Sequence, residues 1–212
     1  FASSIEDLTQ AILLDDSFFP AYFMRSLVRC KQLEYQKAEE ANAASATPAT
    51  LPGISAPQKS EVSALDYDIV KSDLDHVITL APDFVYAYYN RANVLAMLKD
   101  YRAAIADYDK AIEFYKKTIE VDPNYAEAYS NLGLIYCLQA QDFSEKATTD
   151  INDPKYKEDQ ATLKTFYEKA KPYYEKAREL KPDQKDLWLN GLYRVYYNLQ
   201  MGPEFEEIEK LM

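Results

Sequence analysis

The sequence predicts an all-α protein, built as an α-solenoid of antiparallel helix pairs. Helix-ending turns recur along the chain; each follows a spaced set of small and apolar residues and precedes an aromatic residue that opens a second pattern. The turns are Leu14-Asp15-Asp16, Leu80-Ala81-Pro82, Val121-Asp122-Pro123 and Leu180-Lys181-Pro182. A unit that recurs in this way indicates a stacked array of helical repeats. Only 4 of the 212 residues are glycine, which is too few for a turn-rich β fold.

Upstream of each turn, the small and apolar residues predict the second helix of a pair. The sets are Ser4/Leu8/Ala11, Val70/Leu74/Val77, Ala104/Tyr108/Ala111 and Ala170/Tyr174/Ala177. Their helical spacing puts each set on one helix face, which we expect to be buried. Downstream of the turns, the first helices of the following pairs begin near Tyr22, Tyr88, Tyr129 and Trp188.

Two stretches carry a recognisable motif. Residues 129–136 have Tyr129, Leu132-Gly133 and Tyr136 at the spacing of a first helix, and residues 101–111 give the best second helix. The sequence therefore resembles the tetratricopeptide repeat, a helix–turn–helix unit of about 34 residues, in a bacterial-type array with insertions. The resemblance implies a right-handed superhelix in which first helices line a concave surface and second helices a convex one.

The uneven spacing of the turns divides the chain into five predicted segments. Measured against the family unit, the three intervals between turns contain insertions of 32, 7 and 25 residues. The segments are 1–16, the second helix of a truncated repeat; 17–82, a repeat with the 32-residue insertion at about 36–66; 83–123, a repeat with a 7-residue helix extension; 124–182, a repeat with the 25-residue insertion at about 141–166; and 183–212, a divergent C-terminal capping helix pair.

We expect the two long insertions to form elongated helical hairpins, with irregular loops as the alternative. The first contains prolines and Gly53 near its middle, which predict a helix break and a mobile tip. In the second, Asp153 suits a helix N-cap and Pro154 the first helical position. The 7-residue insertion is a tandem heptad over residues 108–120, which lengthens one helix and fits either a natural duplication or a fusion seam.

Charge bears on the class of partner, and the two cysteines bear on disulfide formation. The net charge of −11 argues against a nucleic-acid groove and favours a partner that carries some positive charge. Cys30 and Cys137 occupy equivalent points of repeats separated by a complete repeat, so we expect no disulfide between them. The sequence has no apolar run suited to membrane insertion, and it leaves the location unknown, with a lean toward a bacterial periplasm or cell envelope.

Catalytic and metal-binding patterns are absent from the sequence. His76 is the only histidine and has no neighbouring ligand, so a surface position is the simpler prediction. Neither a phosphate-binding loop nor a nucleophile–base constellation can be assembled. We therefore predict that the chain is not an enzyme and needs no metal or cofactor.

The resemblance assigns function to the groove formed by the first helices. Aromatic, aliphatic and amide side chains occupy the groove-facing positions of the family pattern in this sequence. The candidate partner-binding residues are Phe23, Leu27, Tyr86, Tyr89, Asn93, Asn131, Leu134, Leu189, Tyr193 and Tyr196. We predict a protein-interaction scaffold that binds an extended peptide or a helix through apolar anchors, with Asn93 and Asn131 pairing with its backbone amides.

One family subclass clamps the terminal carboxylate of chaperones, and this sequence departs from that pattern. Asn93 and Asn131 fall where two clamp asparagines would be, but Tyr89, Asp186 and Asn190 occupy the cationic places. A terminal carboxylate would have no counter-ion at these positions, which argues against such a ligand.

Other interpretations of the aromatic positions stay open. They could form the core between helices, bind glycans as in extracytoplasmic lipoproteins with similar helices, or support self-association. Sugar-dependent quenching of Trp188 fluorescence would identify glycan binding, and solution mass across concentration would identify self-association.

Overall fold

The computed structural model describes residues 1–45 and 62–212, and within these residues the chain is helical without strands. The all-α prediction is confirmed. The α-helices are α1 (Ala2–Leu14), α2 (Phe19–Ser45), α3 (Ala64–Leu80), α4 (Val85–Met97), α5 (Tyr101–Val121), α6 (Ala126–Ser144), α7 (Tyr156–Leu180), α8 (Leu189–Asn198) and α9 (Gly202–Glu209). A short 3₁₀ turn, Lys185–Leu187, precedes α8. The helices form two compact units, Phe1–Asp100 and Tyr101–Met212.

In the first unit, successive helices pack on one another around the apolar face of α3. Val70, Leu74 and Val77 have no exposed surface, as their spacing predicts. Burying side chains of this size contributes about 1.5–3 kcal/mol each. The expectation of a buried face is wrong for α1, where Ser4 is exposed and Leu8 is only half-buried. α1 packs chiefly against α2, and a single neighbouring helix leaves the rest of its surface exposed.

A buried ion cluster connects three helices of the first unit. Asp73 of α3 accepts hydrogen bonds from Arg25 Nε and Nη2 at 2.9 and 2.6 Å, and from Arg29 Nη1 at 2.9 Å. Arg25 Nη1 also donates to Thr9 Oγ1 of α1, at 3.0 Å. The paired, bidentate geometry satisfies a carboxylate whose side chain is only 5% exposed.

In the second unit, α6 and α7 form the longest helix pair, and α8 packs against both. The predicted buried sets are buried here: Ala104, Tyr108 and Ala111 in α5, and Ala170, Tyr174 and Ala177 in α7. The tandem heptad lies inside the single helix α5.

Helices extend into both long insertions from their flanks, while residues 145–155 of the second insertion form turns and irregular structure between α6 and α7. α2 continues to Ser45 and α3 begins at Ala64, after a capping box between Ser63 and Asp66. The predicted mobile tip, with Gly53, lies outside the described residues. The division of the chain into repeats and insertions stays a prediction.

The helix start proposed for the second insertion is wrong. α7 begins at Tyr156 with Lys155 as its N-cap. Asp153 instead closes a turn, because its Oδ1 accepts the Lys155 N–H at 2.8 Å and its carbonyl accepts the Tyr156 N–H at 3.0 Å. The carboxylate satisfies the donors of the turn, and the helix starts after it.

Candidate partner-binding surfaces

In the first unit, the candidate residues lie on α2 and α4 beside an aromatic cluster. The Phe23 ring meets the Phe84 ring edge-on, with centroids 4.8 Å apart, and Phe84 also contacts Tyr86 at 5.6 Å. Phe23 and Leu27 are half-buried, whereas Tyr86 is 39% exposed. Tyr86 therefore offers the most accessible apolar surface among the candidates of this unit.

Tyr89 and Asn93 share a hydrogen bond within α4. Burial raises the pKa of Tyr89, and the hydrogen bond from Asn93 opposes that effect. One polar group of Asn93 is therefore already engaged inside the protein, so a ligand backbone would have to use its remaining hydrogen-bonding capacity.

In the second unit, a cavity of about 160 Å³ opens between α6 and the 3₁₀ turn with α8. Groove-facing positions of α6 line one side. The lining residues are Ser130, Leu134, Cys137, Tyr174, Asp186, Leu187, Asn190, Gly191 and Arg194. We call this space the α6–α8 cavity. Ser130 Oγ donates to the Leu187 carbonyl at 2.6 Å, which fixes the 3₁₀ turn against α6.

Two glycines let both helices approach the Tyr174 ring. A Cβ on Gly133 would lie 2.7 Å from the ring, and a Cβ on Gly191 would lie 2.3 Å from it. Real Cβ atoms essentially never come this close to another heavy atom. Glycine at these two positions therefore allows the packing that forms one wall of the cavity.

The thiol of the cavity is held in its neutral form. Burial raises the pKa of Cys137 to about 12, and the positive charge of Arg194 opposes that rise. Cys30, in the first unit, has a pKa raised to about 11, again mainly by burial. Both cysteines are free thiols in the structure. Neutral thiols at these positions are poor nucleophiles and poor metal ligands.

The other candidates of the second unit divide between accessible and buried positions. Leu134 lines the cavity and Tyr193 is half-buried against Phe205, with ring centroids 4.8 Å apart. Asn131 Nδ2 donates to Tyr115 Oη at 3.1 Å, which ties α6 to α5. Leu189 and Tyr196 are buried.

The burial of Leu189 and Tyr196 gives them a role in packing. Tyr196 Oη donates to Glu175 of α7 at 3.0 Å, and burial together with this carboxylate raises the pKa of Tyr196. These two side chains offer no surface to a partner in this arrangement, and the binding hypothesis continues with the other eight.

Sequence reasoning missed a second, open groove on α8. Its volume is about 450 Å³, and Asn190, Tyr193, Arg194, Tyr197 and Asn198 line it. These residues recur at intervals of three and four along one helix face, which is the signal that could have identified it. Asn190 and Arg194 belong to both this open groove and the α6–α8 cavity.

Among the described residues, no cluster of three or more His, Cys, Asp or Glu side chains could hold a metal ion. His76 is exposed and stacks on Tyr22, with centroids 5.1 Å apart. None of the helices described has the length and apolar character needed to cross a bilayer.

Trp188 is unsuited to stacking on a sugar. It is 3% exposed, its Nε1 donates to the Lys181 carbonyl at 3.0 Å, and the Arg178 guanidinium lies over its ring. Direct stacking of a sugar on Trp188 is therefore not expected in this arrangement, and glycan binding stays a prediction.

Comparison with protein families agrees with this architecture. A family described as Tetratricopeptide repeat matches residues 85–113, and one described as TPR repeat matches residues 106–139. Residues 85–139 therefore carry repeats of the tetratricopeptide type. No curated protein matches it in a sequence search. Tetratricopeptide repeats generally mediate protein–protein interactions and typically serve as non-catalytic scaffolds.

Proposed function

We propose that this protein binds a peptide or a helix of a partner protein along its first helices, without catalysing a reaction. The observation that carries the proposal is the α6–α8 cavity, which opens between two predicted first helices and is lined on one side by groove-facing positions of α6. Apolar pockets with a few polar groups are the usual form of a recognition site.

The second unit supports the proposal through a mixed lining suited to peptide recognition. Leu134 supplies an apolar wall, while Asn190 and Arg194 supply hydrogen-bond donors. A cavity of about 160 Å³ has room for one side chain, so the rest of a bound segment would lie along the helix faces outside it. This arrangement fits an anchor residue within a longer peptide.

The first unit supports the proposal through Tyr86. Its ring is partly exposed and is held from behind by Phe84, so binding would immobilise little additional side-chain freedom. Rigid, partly exposed aromatic side chains are common anchors at protein interfaces. The acidic net charge would increase the rate of encounter with a partner of opposite charge.

A peptide-display selection against the full chain tests this proposal. Selected peptides are then titrated against Tyr86→Ala and Leu134→Ala, and we expect about ten-fold weaker binding, or about 1.4 kcal/mol, in at least one variant. Tyr125→Ala and Ile105→Ala are the controls, because Tyr125 is 37% exposed and Ile105 is 42% exposed. Both controls should bind as the unmodified chain does.

Two further measurements complete the test. Circular dichroism of each variant shows whether the helices are retained, and light scattering across concentration separates peptide binding from self-association. Failure to select any peptide would contradict the proposal, as would full binding by both groove variants.

A further inference from the structure

We propose that the α6–α8 cavity takes the side-chain carboxylate of an aspartate or glutamate in the partner segment, with Arg194 as its counter-ion. The inference rests on the proposed peptide-binding function and specifies which residue of the peptide enters this cavity.

Arg194 differs from most arginines of the chain in having no acidic partner. Arg25 and Arg29 pair with Asp73, Arg91 pairs with Asp75, and Arg178 pairs with Glu207. Arg194 forms no ion pair within the part of the chain that the structure describes, although acidic residues outnumber basic ones by 35 to 24. A guanidinium in such an acidic protein readily finds a carboxylate, so an unpaired one at a cavity is available to a ligand.

The charge of Arg194 acts inside the second unit as well as at its surface. It lowers the pKa of Cys137, which lines the cavity, and that of Tyr167 on α7, although burial raises both overall. A carboxylate bound here would therefore meet a positive potential against the apolar surface of Leu134. Partial exclusion of water strengthens such a charge-assisted hydrogen bond.

Asn190 adds a neutral donor one helical turn before Arg194. Its side chain makes no hydrogen bond with another described residue, so its amide N–H groups can donate to a ligand oxygen. The Ser130 hydroxyl is not available as a donor to the carboxylate, because its proton is already donated to the Leu187 carbonyl. Arg194 and Asn190 are thus the two donors that the inference assigns to the carboxylate.

Asp186 lines the same cavity and favours a peptide over a small inorganic anion. Its carboxylate would repel the negative charge of a free phosphate or sulfate, and sulfate has no hydrogen-bond donor to offset that repulsion. A peptide presents backbone N–H groups beside its acidic side chain, and these can donate to Asp186. The opposed charges of Asp186 and Arg194 therefore fix the direction of a bound segment.

The open groove on α8 can hold the residues next to the acidic side chain. Tyr197 is 66% exposed there, and Tyr193 is held by Phe205. Tyrosine rings bury apolar surface while their hydroxyl groups stay hydrated, which suits contact with a peptide of mixed composition. One acidic residue in an otherwise neutral or basic segment would set the register of binding on this acidic protein.

Two capped pentapeptides, acetyl-Ala-Ala-Glu-Ala-Ala-amide and its glutamine counterpart, provide the test. Both are titrated into the isotopically labelled full chain, and amide chemical shifts are followed by NMR. We expect the glutamate peptide to shift the signals of Leu134, Asn190 and Arg194, and to bind at least about five-fold more tightly than the glutamine peptide. In Arg194→Gln this preference should vanish, whereas Arg102→Gln, an exposed arginine of α5, should keep it.

Each result decides the inference. A glutamate preference that is lost in Arg194→Gln supports it. Equal binding of both peptides at these residues would overturn the carboxylate preference while leaving peptide binding intact. A preference that survives in Arg194→Gln, or no shift at the cavity up to about 10 mM peptide, overturns the assignment of this site. The display selection tests peptide binding separately, so failure of the site and failure of the function are distinguishable.

Discussion

The ring of Tyr174 lies where a side chain on Gly191 would begin, with ring atoms 2.3 Å from the position of its Cβ. Gly133 faces the same ring from α6, at 2.7 Å. One aromatic residue of α7 thus sets how closely α6 and α8 approach, and it lines the cavity between them. The candidate binding site depends on this three-helix contact.

Replacing Gly191 with alanine should destabilise the second unit. The added methyl group must displace a ring that is 5% exposed and tightly enclosed, and overpacking of this kind typically costs about 1–3 kcal/mol. Chemical denaturation measures the loss. Gly202→Ala is the control, because nothing lies within 4 Å of the added Cβ, and its stability should change little or increase slightly. Equal effects of the two substitutions would show that the ring is free to move.

Asp142 should make stability depend on pH. Burial, reinforced by Glu145, raises the pKa of this carboxyl to about 6, and its Oδ2 is buried without a hydrogen-bond partner. The folded protein then holds the proton more tightly than the unfolded chain, so this contribution is fully present below about pH 4 and is lost as pH rises through about 6.

Asp142→Asn therefore should stabilise the protein at pH 8, on the order of 1–2 kcal/mol, and much less at pH 4. Denaturation of both proteins at the two pH values measures the difference. Asp68→Asn, at an exposed position of α3, should show no such trend. A gain from Asp142→Asn that is the same at both pH values would contradict the account of the buried carboxyl.

The Asp73 cluster should contribute far more to stability than a neighbouring exposed one. Asp73→Ala leaves Arg25 and Arg29 without their carboxylate in a mostly buried site, which typically costs about 3–5 kcal/mol. Asp75→Ala is a matched comparison on the same helix, since Asp75 pairs with Lys71 and Arg91 at a side-chain exposure of 39%. We expect a loss of about 1 kcal/mol or less there. Denaturant titrations measure the unfolding free energy of both variants, and Asp73→Ala should lose more of it than Asp75→Ala.

The ends of α4 and α8 carry a small and removable strain. Lys99 and Gln200 have φ values of 62° and 56°, in the left-handed region that favours glycine. Gln200→Gly should raise the unfolding free energy by about 0.5–1 kcal/mol, because relief of strain exceeds the added freedom of the unfolded chain. Thermal unfolding measures the change. Substitution by glycine at Asn198, the last residue of α8, should instead destabilise, because it removes a hydrogen bond to the Arg194 carbonyl at 2.8 Å and adds backbone freedom.

Periodicity predicted the buried faces of α3, α5 and α7, because burial repeats with the helical period, but it failed for α1. Val70, Leu74 and Val77 follow this rule, and the motif around Gly133 placed this glycine in a first helix. Gly191 was harder, since its spacing from Trp188 departs from the family pattern, yet it meets the same Tyr174 ring. Contacts between helices determine that glycine is needed at this position, and a local sequence pattern does not contain those contacts.

The candidate site was predictable only in part for the same reason. Leu134 follows from the groove-facing positions, but the burial of Leu189 and Tyr196 depends on packing against other helices of the unit. Arg194 lies outside the positions that the family pattern assigns to ligand contact. Its significance comes from a cavity and from its lack of an acidic partner, and both are properties of the folded chain.

A chemical-shift map of the complete chain with a display-selected peptide tests the central claim most directly. The account predicts that the perturbed amides lie on the first helices, around Tyr86 of α4, Leu134 of α6 and Arg194 of α8. The amide chemical shifts of at least one of these groups should change progressively as the peptide concentration rises. Perturbations confined to the second helices α3, α5 and α7 would contradict the assignment of function to these surfaces.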